Sequence, residues 1–450
     1  MSPVAFPQSV VRRSDAVSEN RLAAVTSSLS TRLLGSKSAW FVVLGMLCGY
    51  FALLLALGGH DHWRTLGVPA VDPTFLDLRS VTSGWDCVRE YGSTWPSNPC
   101  DPYGRPENYP RMWIAASVFA LGQDDTEIIG FSLAIAFLLT AILVLSPRAP
   151  LWDAVIYGLA LCSPAVMMGV ERGNVDIGLF CLVAAAALVM RRVPYGAPVA
   201  SALILASAVL KLFPIAAVGM LARLPRRLAL VCVSTVVGLF AVYAAATFSD
   251  IRTIERVLPQ SDDDTYGMHI LGGWLGRVSA AGRVWDVALI ILAIALATAF
   301  RRTLRDRLDT GSLRELDLFW AGAGIYVATF ALGRSSDYRL VFLLLTIPQL
   351  ARWASARRAL PIATLVGVFL TLWLLTPWTD ASLLEGWGDL TRAGGRPLPI
   401  ASPAQVIAFT GLTCLLVATL PHWLGGQAND EPEAAAPQVE ERELEAGGLN

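Results

Sequence analysis

Residues 151–190 read LWDAVIYGLALCSPAVMMGVERGNVDIGLFCLVAAAALVM, and the fold class turns on that stretch. Two apolar runs, 151–170 and 174–190, flank a very tight polar turn. Each run approaches the ~20 residues that cross hydrocarbon as an α-helix. A bilayer core offers no water to satisfy backbone amides, so such runs span it as helices. The turn Glu171-Arg172-Gly173-Asn174-Val175-Asp176 then sets four polar side chains at the membrane boundary.

Outward from this pair, further apolar runs lie at 39–58, 127–146, 228–248, 284–300, 316–332, 339–351, 359–377 and 404–423. The composition agrees with a bilayer as solvent: 450 residues, 54% hydrophobic and only 16% charged, with mean hydropathy +0.54. The expected fold is all-α, a polytopic transmembrane helix bundle of about ten full spans. Two segments resist assignment. Residues 111–122 are too short, roughly 18 Å as a helix, and 196–222 is long but broken by Lys211 and Pro214. If neither traverses, and 196–222 returns as a broken hairpin, every basic cluster from Arg12/Arg13 to Arg352/Arg357/Arg358 falls on one side, as the positive-inside rule requires. Twelve spans is the alternative, and both counts put the two termini in the cytoplasm.

Residues 1–38 read as a disordered cytoplasmic tail, 39–424 as the membrane domain with an outer loop at 59–110, and 425–450 as an acidic disordered tail. Formal net charge is −1, from 35 basic and 36 acidic residues, which removes the electrostatic case for nucleic-acid binding. Walker A, GxSxG and HExxH patterns are absent, so nucleotide hydrolysis, serine hydrolase chemistry and zinc proteolysis have no support.

The preferred topology collects the polar sequences on the outer side: loop 59–110, the turn 171–176, loop 250–283 and Gly333-Arg334-Ser335-Ser336-Asp337-Tyr338-Arg339. One site can draw on all four. Asp77, between Leu76 and Leu78, is placed to accept a proton from an attacking hydroxyl; its structural alternative is a helix cap or a pair with Arg79. Lys211, one of only two lysines, lies within apolar sequence. An ammonium there costs at least ~2.5–3.5 kcal/mol on insertion and calls for a polar cavity or an anion such as phosphate, or else a helix-buried carboxylate. Arg339 and Arg334, with Arg111 and Arg172 behind them, are arginine candidates for gripping a phosphate. Asn174 and Asp337 join them as polar boundary residues, Asn174 also reading as a simple helix cap. Cys87 and Cys100, the two cysteines outside apolar runs, can close a small disulfide loop. Ser261-Asp262-Asp263-Asp264 with Tyr266, Gly267 and His269 offers oxygens to a divalent cation, but adjacent aspartates do not converge without a special turn; no metal and no cofactor is expected. His60 and His62 read as interfacial residues.

On Phe75-Leu76-Asp77 after the first span, Arg172-Gly173-Asn174 opening a helix, and Lys211-Leu212-Phe213-Pro214, the chain resembles the glycosyltransferase C superfamily. Within it the likeness is to bacterial polyprenyl-phosphate-sugar-dependent enzymes of the polyprenyl-phosphate-mannose mannosyltransferase kind. The resemblance covers most of residues 39–377. It implies an integral enzyme of the bacterial cell (inner) membrane, with its active site on the extracytoplasmic face. Asp77 would be the catalytic base of an inverting transfer from a polyprenyl-phosphate sugar to a glycan or glycolipid acceptor hydroxyl. Lys211 and the boundary arginines would stabilise the leaving phosphate. Asp72 competes for the base, and the paired acids of metal-dependent relatives have no clear counterpart, which favours a metal-independent mechanism. From another class, a lipid or small-molecule transporter or flippase also fits ten to twelve helices with a buried lysine.

Overall fold

The computed structural model describes residues 38–92, 95–258, 265–268, 279–308, 311–332, 335–374, 392–393, 396–397 and 401–424. Among these, four helices are long and apolar enough to cross a membrane: Ser38–Leu57, Gln123–Val144, Arg226–Ala246 and Val287–Arg305. Leu151–Leu161 and Pro164–Glu171 together are as long and apolar, but are bent by 51° at the break between them, as in a broken span or a re-entrant loop. The four long helices carry apolar side chains on all sides, and Phe41, Leu55, Ile128, Phe131, Val231, Val242 and Ile291 are exposed. A helix of this kind suits lipid on one face and protein on the other.

In chain order the helices are α1 (Ser38–Leu57), α2 (Leu76–Tyr91), α3 (Thr126–Val144), α4 (Leu151–Leu161), α5 (Pro164–Glu171), α6 (Val175–Val189), α7 (Gly196–Leu210), α8 (Arg226–Ala246), α9 (Phe248–Val257), α10 (Ser279–Arg305), α11 (Leu313–Ala331), α12 (Ile347–Ser355), α13 (Ala359–Trp373) and α14 (Ala401–Ala418). The architecture is the expected all-α polytopic bundle, but several apolar runs form helices of 10–17 residues rather than full spans. Polar residues explain the shortening. Asn174 caps the start of α6, and Lys211 adopts an extended conformation that ends α7. The run expected at 339–351 divides into a 3-10 segment, Asp337–Leu345, and α12. The long loop 59–110 contains the 16-residue α2, unforeseen because its Ser80, Thr82, Ser83 and Gly84 are poor helix formers. Burial of Leu78, Val81 and Trp85 outweighs that propensity.

Ion pairs mark two ends of the bundle. At one end Lys211 meets Asp176 at the start of α6 (2.7 Å). At the other, Arg191 just beyond α6 and Arg223 at the end of the 3-10 segment Phe213–Arg223 both grip Asp317 of α11, at 2.6 and 2.8 Å. Arg191 Nη2 also donates to the Arg223 carbonyl (2.9 Å). Residues 196–223 therefore leave the Asp317 end, turn at Lys211 and come back. Pro214, without an amide hydrogen, opens the returning arm.

The segment 111–122 forms a 3-10 helix, Arg111–Phe119, beside α2. Strand β1 (Thr265–Tyr266) pairs antiparallel with β2 (Ser335–Ser336). A second pair joins β3 (Arg392–Ala393) to β4 (Arg396–Pro397). By internal contacts the chain divides into Met1–Thr419 and Leu420–Asn450. Pro421 cannot continue the hydrogen-bond ladder of α14, so the helix stops at Ala418. In the second unit His422–Leu424 makes one 3-10 turn. The expected tails 1–37 and 425–450 lie outside the described residues.

Candidate active site

The site begins with the turn between α5 and α6. Gly173 holds φ at +58°, and a Cβ there would stand 3.0 Å from the Phe75 ring, so the turn needs glycine both for its left-handed backbone and for close approach. Phe75 wedges between Gly173 and Gly130 and packs edge-on against Phe131, centroids 5.1 Å apart. The wedge docks the start of α2 onto the turn. Phe75 N–H donates to the Glu171 carbonyl (3.3 Å), and the amides of Asp77 and Leu78 donate to the Arg172 carbonyl (3.1 and 3.4 Å). Glu171, fully buried, accepts from Val71 N–H (3.0 Å) and meets His60 Nε2 (3.3 Å), which fastens the preceding loop as well.

This docking delivers Asp77. Its Oδ2 accepts a 2.7 Å hydrogen bond from Asn174 Nδ2. Asn174 keeps its capping duty, its Oδ1 accepting from Asp176 N–H (3.0 Å), so the cap and the site contact are one residue's two ends. Asp176 is wholly buried and carries Lys211 Nζ on Oδ1, with Arg339 Nε 3.6 Å from Oδ2. Aromatic rings surround the ammonium: Tyr109 at 5.2 Å, Tyr338 at 5.4 Å and Phe213 at 6.0 Å. Arg339 lies over Phe213 (4.9 Å) and donates to Ser335 Oγ (3.2 Å) on β2. Described parts of the 59–110 loop, the 171–176 turn and the 335–339 segment, with Thr265–Tyr266 paired to β2, thus meet at one end of the bundle. Burial, then the negative charge of Asp77 and Asp176, holds the Tyr109 hydroxyl well above the usual phenol range and so neutral.

A clasp on the 59–110 loop completes the wall. Cys87 and Cys100 form a disulfide with Cα atoms 5.6 Å apart. Just beyond it Asp101 takes Arg105 through Nε (3.0 Å to Oδ1) and Nη2 (2.8 Å to Oδ2). Burial alone would raise the Asp101 carboxyl, but Arg105 and two backbone amides bring it below the ordinary carboxylate range. Arg105 Nη2 also donates to the Leu76 carbonyl (2.8 Å), and its Nη1 stands 3.9 Å from Asp77 Oδ1. Beside it Glu107 is buried, neither carboxyl oxygen having a hydrogen-bond partner among the described residues, and burial raises its pKa to about 8.

The remaining candidates fall elsewhere. Asp72 is exposed, and its carbonyl rather than its carboxylate is engaged, by Tyr103 Oη. Arg172 donates to the Pro69 carbonyl (3.3 Å). Arg111 stacks on Trp95 and pairs with Asp250 of α9 (3.2 Å) at the rim of a shallow groove that Leu212 and Tyr243 also line; its charge is spent outside the Asp77 cluster. Asp337 is buried at the head of the 3-10 segment that carries Arg339. Arg334, Asp262, Asp263, Asp264 and His269 lie outside the described residues. Trp85, Trp95 and Trp113 donate to backbone carbonyls of Trp113, Tyr109 and Leu210, so all three fasten the loop. No group of three or more His, Cys, Asp or Glu suited to a metal ion occurs among the described residues.

Sequence reasoning missed Arg105, and although it allowed Lys211 a helix-buried carboxylate it did not single out Asp176 as that partner. Contacts 28 and 35 positions apart leave no local signal.

Residues 110–329 match the model of Glycosyltransferase family 87, a membrane family of the GT-C type. The matched range holds the 171–176 turn and Lys211 but stops short of Asp77 and Arg339. Comparison with curated proteins and with solved structures returns no match.

Proposed function

We propose that this multi-pass membrane glycosyltransferase moves a sugar from a polyprenyl-phosphate donor to an acceptor hydroxyl on the extracytoplasmic face of a bacterial inner membrane, with inversion and with Asp77 as general base. One observation carries the reading: a carboxylate and a two-cation cluster share the same end of the bundle, bridged by Asn174.

Asn174 holds Oδ2 of Asp77, which leaves Oδ1 to take the proton. As the acceptor O–H bond breaks, its oxygen forms a bond to the anomeric carbon. The bond from that carbon to the phosphate oxygen breaks, and its electron pair leaves on the polyprenyl phosphate. Lys211 and Arg339 together carry one more positive charge than Asp176 cancels, so the cluster suits the extra negative charge of that leaving group. Their aromatic surround limits hydration and strengthens the attraction. The donor enters from lipid, which suits a site at the end of apolar helices. The sugar is a hexose or pentose, and the acceptor a glycan or glycolipid. Neither the family match nor the geometry lends support to the transporter alternative.

The test is product analysis with candidate polyprenyl-phosphate sugars and the Asp77→Asn variant in purified, folded form. Transfer should fall ~10²–10⁴-fold while donor binding persists. Unchanged transfer would eliminate Asp77 as base, and transfer from a nucleotide sugar in place of the lipid donor would eliminate the donor assignment.

A further inference from the structure

Four tyrosines are buried among the described residues, and three of them spend their hydroxyls on the protein. Tyr157 Oη donates to the Ala141 carbonyl (2.7 Å), Tyr326 Oη donates to the Gln405 carbonyl (3.1 Å), and Tyr266 Oη shares a hydrogen bond with Thr329 Oγ1 (2.7 Å). Tyr109 is the fourth. Its carbonyl accepts from Trp95 Nε1 (3.2 Å), whereas its hydroxyl makes no hydrogen bond among the described residues. A buried phenol left in this way is uncommon, because it gives up the hydrogen bonds that water would supply.

The ring itself is held firmly. It packs in an apolar cluster with Val81 and Trp85 of α2 and Val175 at the start of α6, and lies against Trp113 with centroids 6.0 Å apart. These neighbours fix it between the helix that carries Asp77 and the turn that carries Asn174 and Asp176. Lys211 Nζ stands 5.2 Å from its centroid. After burial, the groups that act on the hydroxyl are Asp77, then Tyr338, Asp176 and Glu107, so it shares the space of the base and the cation cluster. Neither nearby aspartate takes it: Asp77 Oδ2 accepts from Asn174, and Asp176 Oδ1 accepts from Lys211.

We propose that the Tyr109 hydroxyl donates a hydrogen bond to a non-bridging oxygen of the donor's phosphate beside Lys211, a bond that strengthens as the sugar departs. The inference rests on the reading of a polyprenyl-phosphate sugar as donor. The phosphate of the bound donor carries one negative charge and gains a second when the anomeric bond breaks. A fixed O–H dipole therefore stabilises the departing group more than the bound donor. The phenol keeps its proton throughout, since burial and the carboxylates around it disfavour the phenolate.

Tyr109→Phe in the purified protein tests this, because the ring and its packing stay while the hydroxyl goes. The midpoint of thermal denaturation in detergent should not fall, since no hydrogen bond within the protein is lost. The kcat for transfer should fall about 10–10²-fold, as for loss of a hydrogen bond to a charged group, with the donor KM within about threefold of wild type. Inhibition by the product, polyprenyl phosphate, should weaken about tenfold, a selective change that a merely structural role would not produce. Wild-type kcat or wild-type product inhibition in the variant overturns the proposal; if the acceptor KM rises instead, the hydroxyl is an acceptor contact. A Tyr109→Phe chain that fails to fold makes the hydroxyl structural and also overturns it. The wild-type protein, measured alongside, separates the two failures. If it neither transfers from the lipid donor nor is inhibited by polyprenyl phosphate, the donor reading has failed; if it does both and Tyr109→Phe matches it, only the role of Tyr109 has failed.

Discussion

Each end of the bundle buries one aspartate between two cations, and the two are finished differently. At Asp317 both arginines sit within 2.8 Å, each carboxylate oxygen is used, and Arg191 and Arg223 are further joined through a backbone carbonyl. At Asp176 Lys211 is close, whereas Oδ2 of Asp176 and Nε of Arg339, 3.6 Å from one another, have no hydrogen-bond partner among the described residues. A fully satisfied buried cluster holds structure, whereas a partly satisfied one retains charge for something else. The first cluster staples the hairpin 196–223 shut. The second stands beside Asp77 with its cations not fully spent.

That contrast breaks down or sharpens under substitution. The largest effect belongs to Lys211→Met. Transfer should drop ~10²–10³-fold, as for loss of a well-aimed group at a developing negative charge, while the folded bundle persists because Arg339 remains for Asp176. Equal losses of transfer and of folded protein would make the Asp176 cluster as structural as its counterpart. Asp317→Ala should do the reverse. Stability should fall by about 3–5 kcal/mol, the cost of stranding buried charges, with turnover per folded molecule near wild type; thermal denaturation in detergent and an activity assay on the folded fraction read the two quantities.

Opening the disulfide by Cys87→Ser with Cys100→Ser should cost about 3 kcal/mol in the chain-entropy account, measured by the same denaturation. Glu107 gives a smaller, pH-dependent effect. Its folded pKa, about 8, stands above the ordinary value of 4.5. The folded state therefore binds the proton more tightly, and stability falls as pH rises from 4.5 toward 8, by roughly 1.4 kcal/mol per unit at most. Glu107→Gln should flatten that slope, and a variant with the wild-type slope would rule out the group. Least of all should Asp72→Asn matter: transfer within about twofold of wild type, since its carboxylate is exposed and away from Asn174.

Much of the site was legible before any coordinates because its members violate their surroundings. Lys211 stands alone in apolar sequence, and Arg172-Gly173-Asn174 interrupts two long apolar runs. Asp77 stood out only as a carboxylate soon after the first span, and α2 beneath it read as loop. Arg111 stood behind Arg339 as a candidate in sequence, and the partners that separate them lie far along the chain: α9 takes Arg111 away through Asp250 while β2 and the 3-10 segment bring Arg339 in.

The sequence by itself determined the solvent, the helical class and the residues whose charge needs an explanation, because hydrophobic length and the cost of burying an ion are properties of short stretches. The tertiary structure alone decided which charges meet. Asp77 with Asn174, Lys211 with Asp176 and Arg105 between Asp101 and Asp77 depend on helices folding back over tens of residues. Opposite charges are equally attractive in any pairing until packing fixes the distance between them.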